Sequence, residues 1–171
     1  IKLDSNPGFY SLTKVISEQL ALTYNHNFKK FVQIAKISNV FGYYSIHKSS
    51  VIHSFIKKII KGEKLEIHNT GKQNRDFIFV QDVCRILFSG LFSKHSNMNI
   101  YIKTNVYYTI LNVKNILNKI SKKNNKIKFF KTPKGYDDVV YKRKKIKNKN
   151  YLYKNLEKTY NWYLKNYSWK F

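Results

Sequence analysis

Gly71-Lys72-Gln73-Asn74-Arg75-Asp76-Phe77-Ile78-Phe79-Val80-Gln81-Asp82-Val83 reads as a turn, an arginine, a short apolar strand and an acidic helix start. A strand that runs straight into a helix is the unit of an α/β fold. Only three of the chain's 33 basic side chains are arginine, so an arginine at position 75 is informative. Its planar fork of donors grips a phosphate through two parallel hydrogen bonds, which lysine cannot do. The competing reading is a surface arginine paired with Asp76 or Asp82.

Upstream, Phe31-Val32-Gln33-Ile34-Ala35-Lys36-Ile37-Ser38-Asn39-Val40-Phe41-Gly42 carries a second apolar run. Phe31 to Ile37 has the length of a buried strand. Asn39 is expected just past its carboxyl end, where ligands bind in open α/β sheets. There it either donates to a phosphate or sugar oxygen, or serves as a turn residue leading to Gly42. Further upstream, Asn6-Pro7 reads as a helix start. Leu12, Val15, Ile16, Leu20 and Tyr24 then follow a helical period. Tyr10 and Lys14 are four apart and share one face of that helix. An ammonium beside a phenol favours the phenolate and equips tyrosine for acid/base work near neutrality. In a chain with 14 tyrosines and many lysines, the same spacing also arises by chance.

The alternation continues through the chain. Helices are expected at 7–25, 50–61, 81–93, 109–121 and 154–166. Strands are expected at 31–37, 65–68, 77–80, 99–103 and 126–130. This pattern is α/β. Hydrophobic residues at 43% and aromatics at 16% supply a core and exclude disorder. No apolar run approaches the length of a membrane span. Cys84 is the single cysteine, so an internal disulfide is impossible, and a reducing cytoplasm is the expected setting. The histidines show no metal-ligand spacing, so no metal is expected.

The formal charge of +24 raises the question of nucleic acid. The lysines run through every segment rather than along one stripe. Lysine, asparagine, isoleucine and tyrosine are inflated together, and all have AT-rich codons. Genome composition therefore accounts for the charge. A nonspecific phosphate contact remains open for the tract 142–149, and specific nucleic-acid binding is not expected.

Taken together, Tyr10 to Lys14, Ser38 to Gly42, Val51 to Gly62, Leu65 to His68, Gly71 and Arg75 to Val80 resemble the extended short-chain dehydrogenase/reductase family, the NAD-dependent sugar-nucleotide epimerases and dehydratases. Asn99-Ile100 resembles the family's later sheet strand, and Asn155 to Tyr163 its closing helix. The family opens with a strand, a glycine-rich phosphate turn and a helix, and this sequence contains no such pattern. The resemblance therefore implies the carboxyl-terminal part of a Rossmann-type parallel sheet plus a smaller α/β substrate-binding domain. Residues 1–44 would finish the NAD-binding domain. Residues 45–171 would form the substrate-binding domain, with 77–103 returning toward the sheet.

The resemblance also implies roles. Tyr10 and Lys14 would be catalytic and would touch NAD together with Ile37. Asn39 and Arg75 would hold the diphosphate of a nucleoside-diphosphate sugar. Glu66, Ile67 and His68 would lie along its base, with Asn105 and Asp137 contributing from later loops. The intact enzyme would be a homodimer. Lys36 stands where relatives usually have arginine, Tyr43 where proline is common, and Tyr101 where glycine usually follows asparagine-isoleucine. A late arginine that clamps the diphosphate has no clear counterpart, with Lys131, Lys134 and Arg143 as substitutes. The alternatives to an enzyme are a non-catalytic remnant of one and a basic nucleic-acid-binding protein.

Overall fold

The computed structural model describes residues 9–92, 99–131 and 150–167. The expected cap at Asn6-Pro7, Lys134, Asp137, Arg143 and the tract 142–149 lie outside the described residues. The elements run α1 (Phe9–Phe28), β1 (Ile34–Ile37), β2 (Asn39–Phe41), α2 (Val51–Lys61), β3 (Leu65–His68), β4 (Asn74–Phe79), α3 (Val80–Leu91), β5 (Asn99–Ile102), β6 (Tyr107–Thr109), α4 (Ile110–Ser121), β7 (Ile127–Phe130) and α5 (Tyr151–Tyr167). The fold class is α/β, as expected from the alternation. The chain forms two compact units, one from residues up to 36 with 87–101, the other from 37–86 with 102 onward.

In the first unit, α1 is amphipathic in sequence yet buries none of its residues. Of the helical stripe read from the sequence, Leu12, Ile16, Leu20 and Tyr24 are exposed and Val15 is partly buried. β1 pairs with β5. Two positions that depart from the family pattern meet here. Lys36 Nζ sits 5.7 Å over the ring of Tyr101 and forms a 2.7 Å ion pair with Glu18.

The second unit holds the core. β4 runs parallel to β2, with Val40 opposite Ile78, and antiparallel to β6, with Arg75 opposite Tyr108. β3 runs parallel to β7. Phe77, Ile78 and Phe79 are all buried, consistent with a central strand covered on both faces. α2 places Ile52, Phe55, Ile56 and Ile59 on one buried stripe. It stops at Gly62, whose φ of 74° ends the helix in the left-handed conformation. α4 opens on a reciprocal cap. Thr109 Oγ1 accepts from Asn112 N at 3.0 Å, and Asn112 Oδ1 accepts from Thr109 N at 3.1 Å. α5 contributes Leu152, Leu156, Tyr160 and Tyr163. Tyr151 Oη donates to Asp82 Oδ2 at 2.7 Å and accepts from Phe79 N at 3.0 Å, which ties α5 to the β4–α3 junction. Burial and the Asp82 hydrogen bond push the Tyr151 phenol well above its ordinary range.

His53 lies in this core at 1% exposure. Burial, then the charges of Lys48 and Lys57, pushes its pKa from 6.5 down to about 4. The unfolded chain therefore binds this proton first as pH falls. The stability due to neutral His53 is complete above pH 6.5 and is lost between there and about pH 4. The loss should reach about 3 kcal/mol, at 1.36 kcal/mol per pKa unit. Urea titrations at pH 7 and pH 4.5 check this. His53→Gln should remove most of the difference, and an unchanged pH dependence in that variant would refute it.

Two strand assignments differ from the sequence expectation. Asn39 falls just past the carboxyl end of β1 at Ile37, as expected, but there it opens a further strand, β2, and pairs in register with Phe77. β4 begins at Asn74, not at 77, because Asn74, Arg75 and Asp76 pair antiparallel with β6, a three-residue strand not anticipated. Among the described residues, no helix is long and apolar enough to cross a membrane.

Candidate functional site

β2 and β4 bring Asn39 and Arg75 to one cleft. It has a volume of about 240 Å3 and is lined by Ser38, Asn39, Arg75, Asp76, Lys103 and Tyr107. Two of these are the predicted diphosphate residues, separated by 36 positions in sequence. Parallel pairing in register sets them side by side: Asn39 is opposite Phe77, two residues beyond Arg75. Arg75 and Lys103 give the cleft two cationic side chains.

Asp76 holds the site together. It is 6% exposed, and its carboxylate accepts from four groups. Oδ1 takes Thr104 Oγ1 at 2.7 Å, Thr104 N at 3.1 Å and Ser38 Oγ at 3.4 Å. Oδ2 takes Asn105 N at 2.7 Å. One carboxylate thus pins the turn at 104–105 to β4 and to the start of β2. Asn39 Nδ2 donates to the Asp76 carbonyl at 3.0 Å, which fixes its side chain over the same residue. One amide hydrogen and the amide oxygen lie outside that bond.

Arg75 is half-buried and donates from Nη1 to the Asn74 carbonyl at 2.8 Å. Asp76 and Asp82, the two acidic residues that a surface reading pairs with Arg75, each bind further groups. Asp82 binds Arg85 at 3.0 Å and Tyr151, while Asp76 binds the 104–105 turn. Asn39 is a strand residue and not a turn residue.

The remaining predicted residues divide as follows. Tyr10 and Lys14 lie in the unit that contains α1, and Lys14 Nζ sits 5.1 Å from the centroid of the Tyr10 ring. The four-residue spacing thus brings the ammonium over the ring. Tyr10 is 74% exposed. Ile37 closes β1 and is exposed. On β3, Glu66 and His68 face outward while Ile67 is in the core at 1% exposure, so the Ile67 side chain is not presented to a ligand. Glu66 pairs with Lys58 at 2.7 Å, and that hydrogen bond holds its carboxyl below the usual range. Asn105 is exposed, with φ at 60°, and its backbone N–H serves Asp76. Lys131 is exposed at the end of β7.

Sequence reasoning missed Asp76 as the organiser and Lys103 as a lining residue. The polar pair Thr104-Asn105, just after an apolar strand, was the available signal for an anchored turn. Lys103 had none among so many lysines.

Residues 5–101, more than half of the chain, match the NAD dependent epimerase/dehydratase family. Over 184 aligned residues the chain is 27% identical to dTDP-D-glucose 4,6-dehydratase of Mus musculus, covering 99% of this chain and 51% of that protein. It is similar to the solved structure of UDP-glucuronic acid 4-epimerase from Bacillus cereus in complex with NAD, at 25% identity and a TM-score of 0.77, covering 96% of this chain and 55% of that one. The structure of dTDP-glucose 4,6-dehydratase from Bacillus anthracis in complex with NAD gives a TM-score of 0.79 at 23% identity, covering 98% of this chain and 55% of that one. The chain therefore spans about half the length of these relatives. With the motifs, the α/β architecture and the family match in agreement, the chain belongs to the NAD dependent epimerase/dehydratase family.

Proposed function

We propose that the protein, in its intact form, is an NAD-dependent epimerase or dehydratase acting on a nucleoside-diphosphate sugar. The observation that carries this reading is the convergence of Asn39 and Arg75 on one cationic cleft with Lys103. Arg75 offers a fork of donors to the diphosphate, and Asn39 an amide hydrogen. Asp76 keeps both strands in register beneath them. Tyr10 exchanges a proton with a sugar hydroxyl, and Lys14, one helical turn away, reaches the cofactor's ribose. Bound NAD supplies the hydride acceptor.

The fit to NAD on these residues is partial. Tyr10 and Lys14 form an exposed phenol–ammonium pair suited to the ribose end. A glycine-rich turn, which would give backbone donors to the pyrophosphate, does not occur in this sequence. These 171 residues alone are accordingly expected not to bind NAD at micromolar concentrations. Calorimetric titration checks this, and a micromolar dissociation constant would count against it.

The direct test of the reading is Arg75→Lys. The charge stays and the fork is lost, so affinity for UDP-glucose or dTDP-glucose should fall by about tenfold or more, given about 1.5–3 kcal/mol for a charge-assisted hydrogen bond. The measurement is a dissociation constant by calorimetry in the full-length protein with cofactor present. A purely structural Arg75 predicts equal affinities, because an exposed ion pair contributes about 0–1 kcal/mol to stability and nothing to a ligand.

A further inference from the structure

We propose that Lys36 is a positioning residue for the proposed reaction: by holding the Glu18 carboxylate it keeps that carboxylate off Lys14, and so leaves the Lys14 ammonium beside Tyr10, where it meets the cofactor. This inference rests on the roles proposed above for Tyr10 and Lys14. All four residues lie in the first compact unit.

The sequence sets up a competition on α1. Tyr10, Lys14 and Glu18 follow one another at four-residue intervals, so each lies about one turn beyond the last along one side of the helix. Lys14 therefore has two neighbours to choose between, a phenol ring one turn before it and a carboxylate one turn after. A carboxylate attracts an ammonium with a full charge, a ring only with its quadrupole. On the helix alone, Glu18 is the stronger partner.

The structure shows the opposite choice. Lys14 Nζ sits 5.1 Å from the centroid of the Tyr10 ring, and the Glu18 carboxylate lies 2.7 Å from Lys36 Nζ. Lys36 reaches Glu18 from β1, a different element. A second contact orients it: its Nζ is 5.7 Å from the centroid of the Tyr101 ring on β5, the strand paired with β1. The Lys36 and Glu18 side chains are 35% and 29% exposed, so water and salt screen this pair less than a fully exposed one. The hydrogen bond to Glu18 also holds the Lys36 ammonium above its ordinary range. Glu18 shares the partly buried side of α1 with Val15, Ala21 and Leu22. Deprived of Lys36, it would be a poorly hydrated carboxylate with Lys14 one turn away.

A simpler role for the pair is to staple α1 to β1. The two roles separate in the dissociation constant of NAD, measured by calorimetry on the full-length protein. Lys14→Met should weaken binding about tenfold or more, the scale of one charged hydrogen bond. Lys36→Met should weaken it about fivefold, as Glu18 draws Lys14 away. Lys36→Arg and Glu18→Gln should each leave it unchanged, the first because a guanidinium still holds Glu18, the second because no carboxylate remains to compete. Adding Glu18→Gln to Lys36→Met should restore wild-type affinity. The deciding comparison is made without Lys14: in a Lys14→Met background, Lys36→Met should add nothing, because its effect runs through Lys14. A staple predicts the same loss in both backgrounds, and that result overturns the proposal. So does a Lys36→Met protein that Glu18→Gln fails to rescue. If Lys36→Met binds NAD normally while Lys14→Met does not, the role of Lys14 stands and the positioning role of Lys36 falls. If Lys14→Met itself binds NAD normally, both fall together.

Discussion

Tyr10→Phe in the full-length enzyme is expected to lower kcat by about 10²–10⁴-fold, the usual contribution of a positioned proton-transfer group. Binding of the sugar nucleotide should be nearly unchanged. In the proposed function the hydroxyl serves the proton-transfer step and the diphosphate lies at β2 and β4. Loss in kcat with intact affinity marks an interaction made in the transition state. Tyr10 is exposed on α1, and α1 buries no residue, so removing one oxygen should cost little stability. That keeps the kinetic result clean. Single-turnover hydride transfer, followed at the nicotinamide absorbance, separates chemistry from product release. Near-normal turnover would mean that the tyrosine and lysine fall four apart by chance.

Asp76→Ala should produce the largest loss of stability, about 4 kcal/mol. Three close donors, Thr104 N, Thr104 Oγ1 and Asn105 N, lose a charged acceptor, each contributing about 1.5 kcal/mol at the low end of the range. Asp76→Asn should lose less, because one carbonyl oxygen still accepts. Denaturant titration of the full chain reads both. A second signature belongs to the site: because Asp76 also accepts from Ser38 and carries the carbonyl that holds Asn39, Asp76→Asn should weaken sugar-nucleotide binding although Asp76 is given no contact with the ligand. A stability change under 1 kcal/mol would show that the turn holds without it.

Helices α2, α4 and α5 and the buried strand Phe77–Phe79 were legible because periodicity reports which face is buried, and these elements bury one face or both. α2 and α4 fall within a residue of expectation at each end. The short strands were not legible for the same reason. β2 has three residues, two of them exposed, and β6 is Tyr-Tyr-Thr, so neither carries a repeat long enough to read. Their positions are decided by pairing partners far along the chain. Asn39 and Arg75 were legible as residue types at familiar spacings. Their convergence was not, since it depends on the β2–β4 register. Asp76 was read only as a companion of Arg75. Alternation along β4 turns it inward, to a turn that begins 28 residues away at Thr104.

The five non-glycine residues with positive φ among the described residues are Lys29, Tyr44, Asn69, Asn105 and Lys122. Each occupies a conformation in which glycine avoids the clash of a Cβ, a strain of about 1–2 kcal/mol for most residues and less for asparagine. Glycine codons begin with two guanines, whereas those of lysine, asparagine and tyrosine are rich in adenine and thymine. The contrast is visible between two helices: α2 terminates on Gly62, and α4 makes the same left-handed stop on Lys122. Two helices thus make the same stop, one on a residue without a Cβ and one on a residue that must bear the clash. Lys122→Gly and Lys29→Gly remove that clash and are a direct route to a more stable protein.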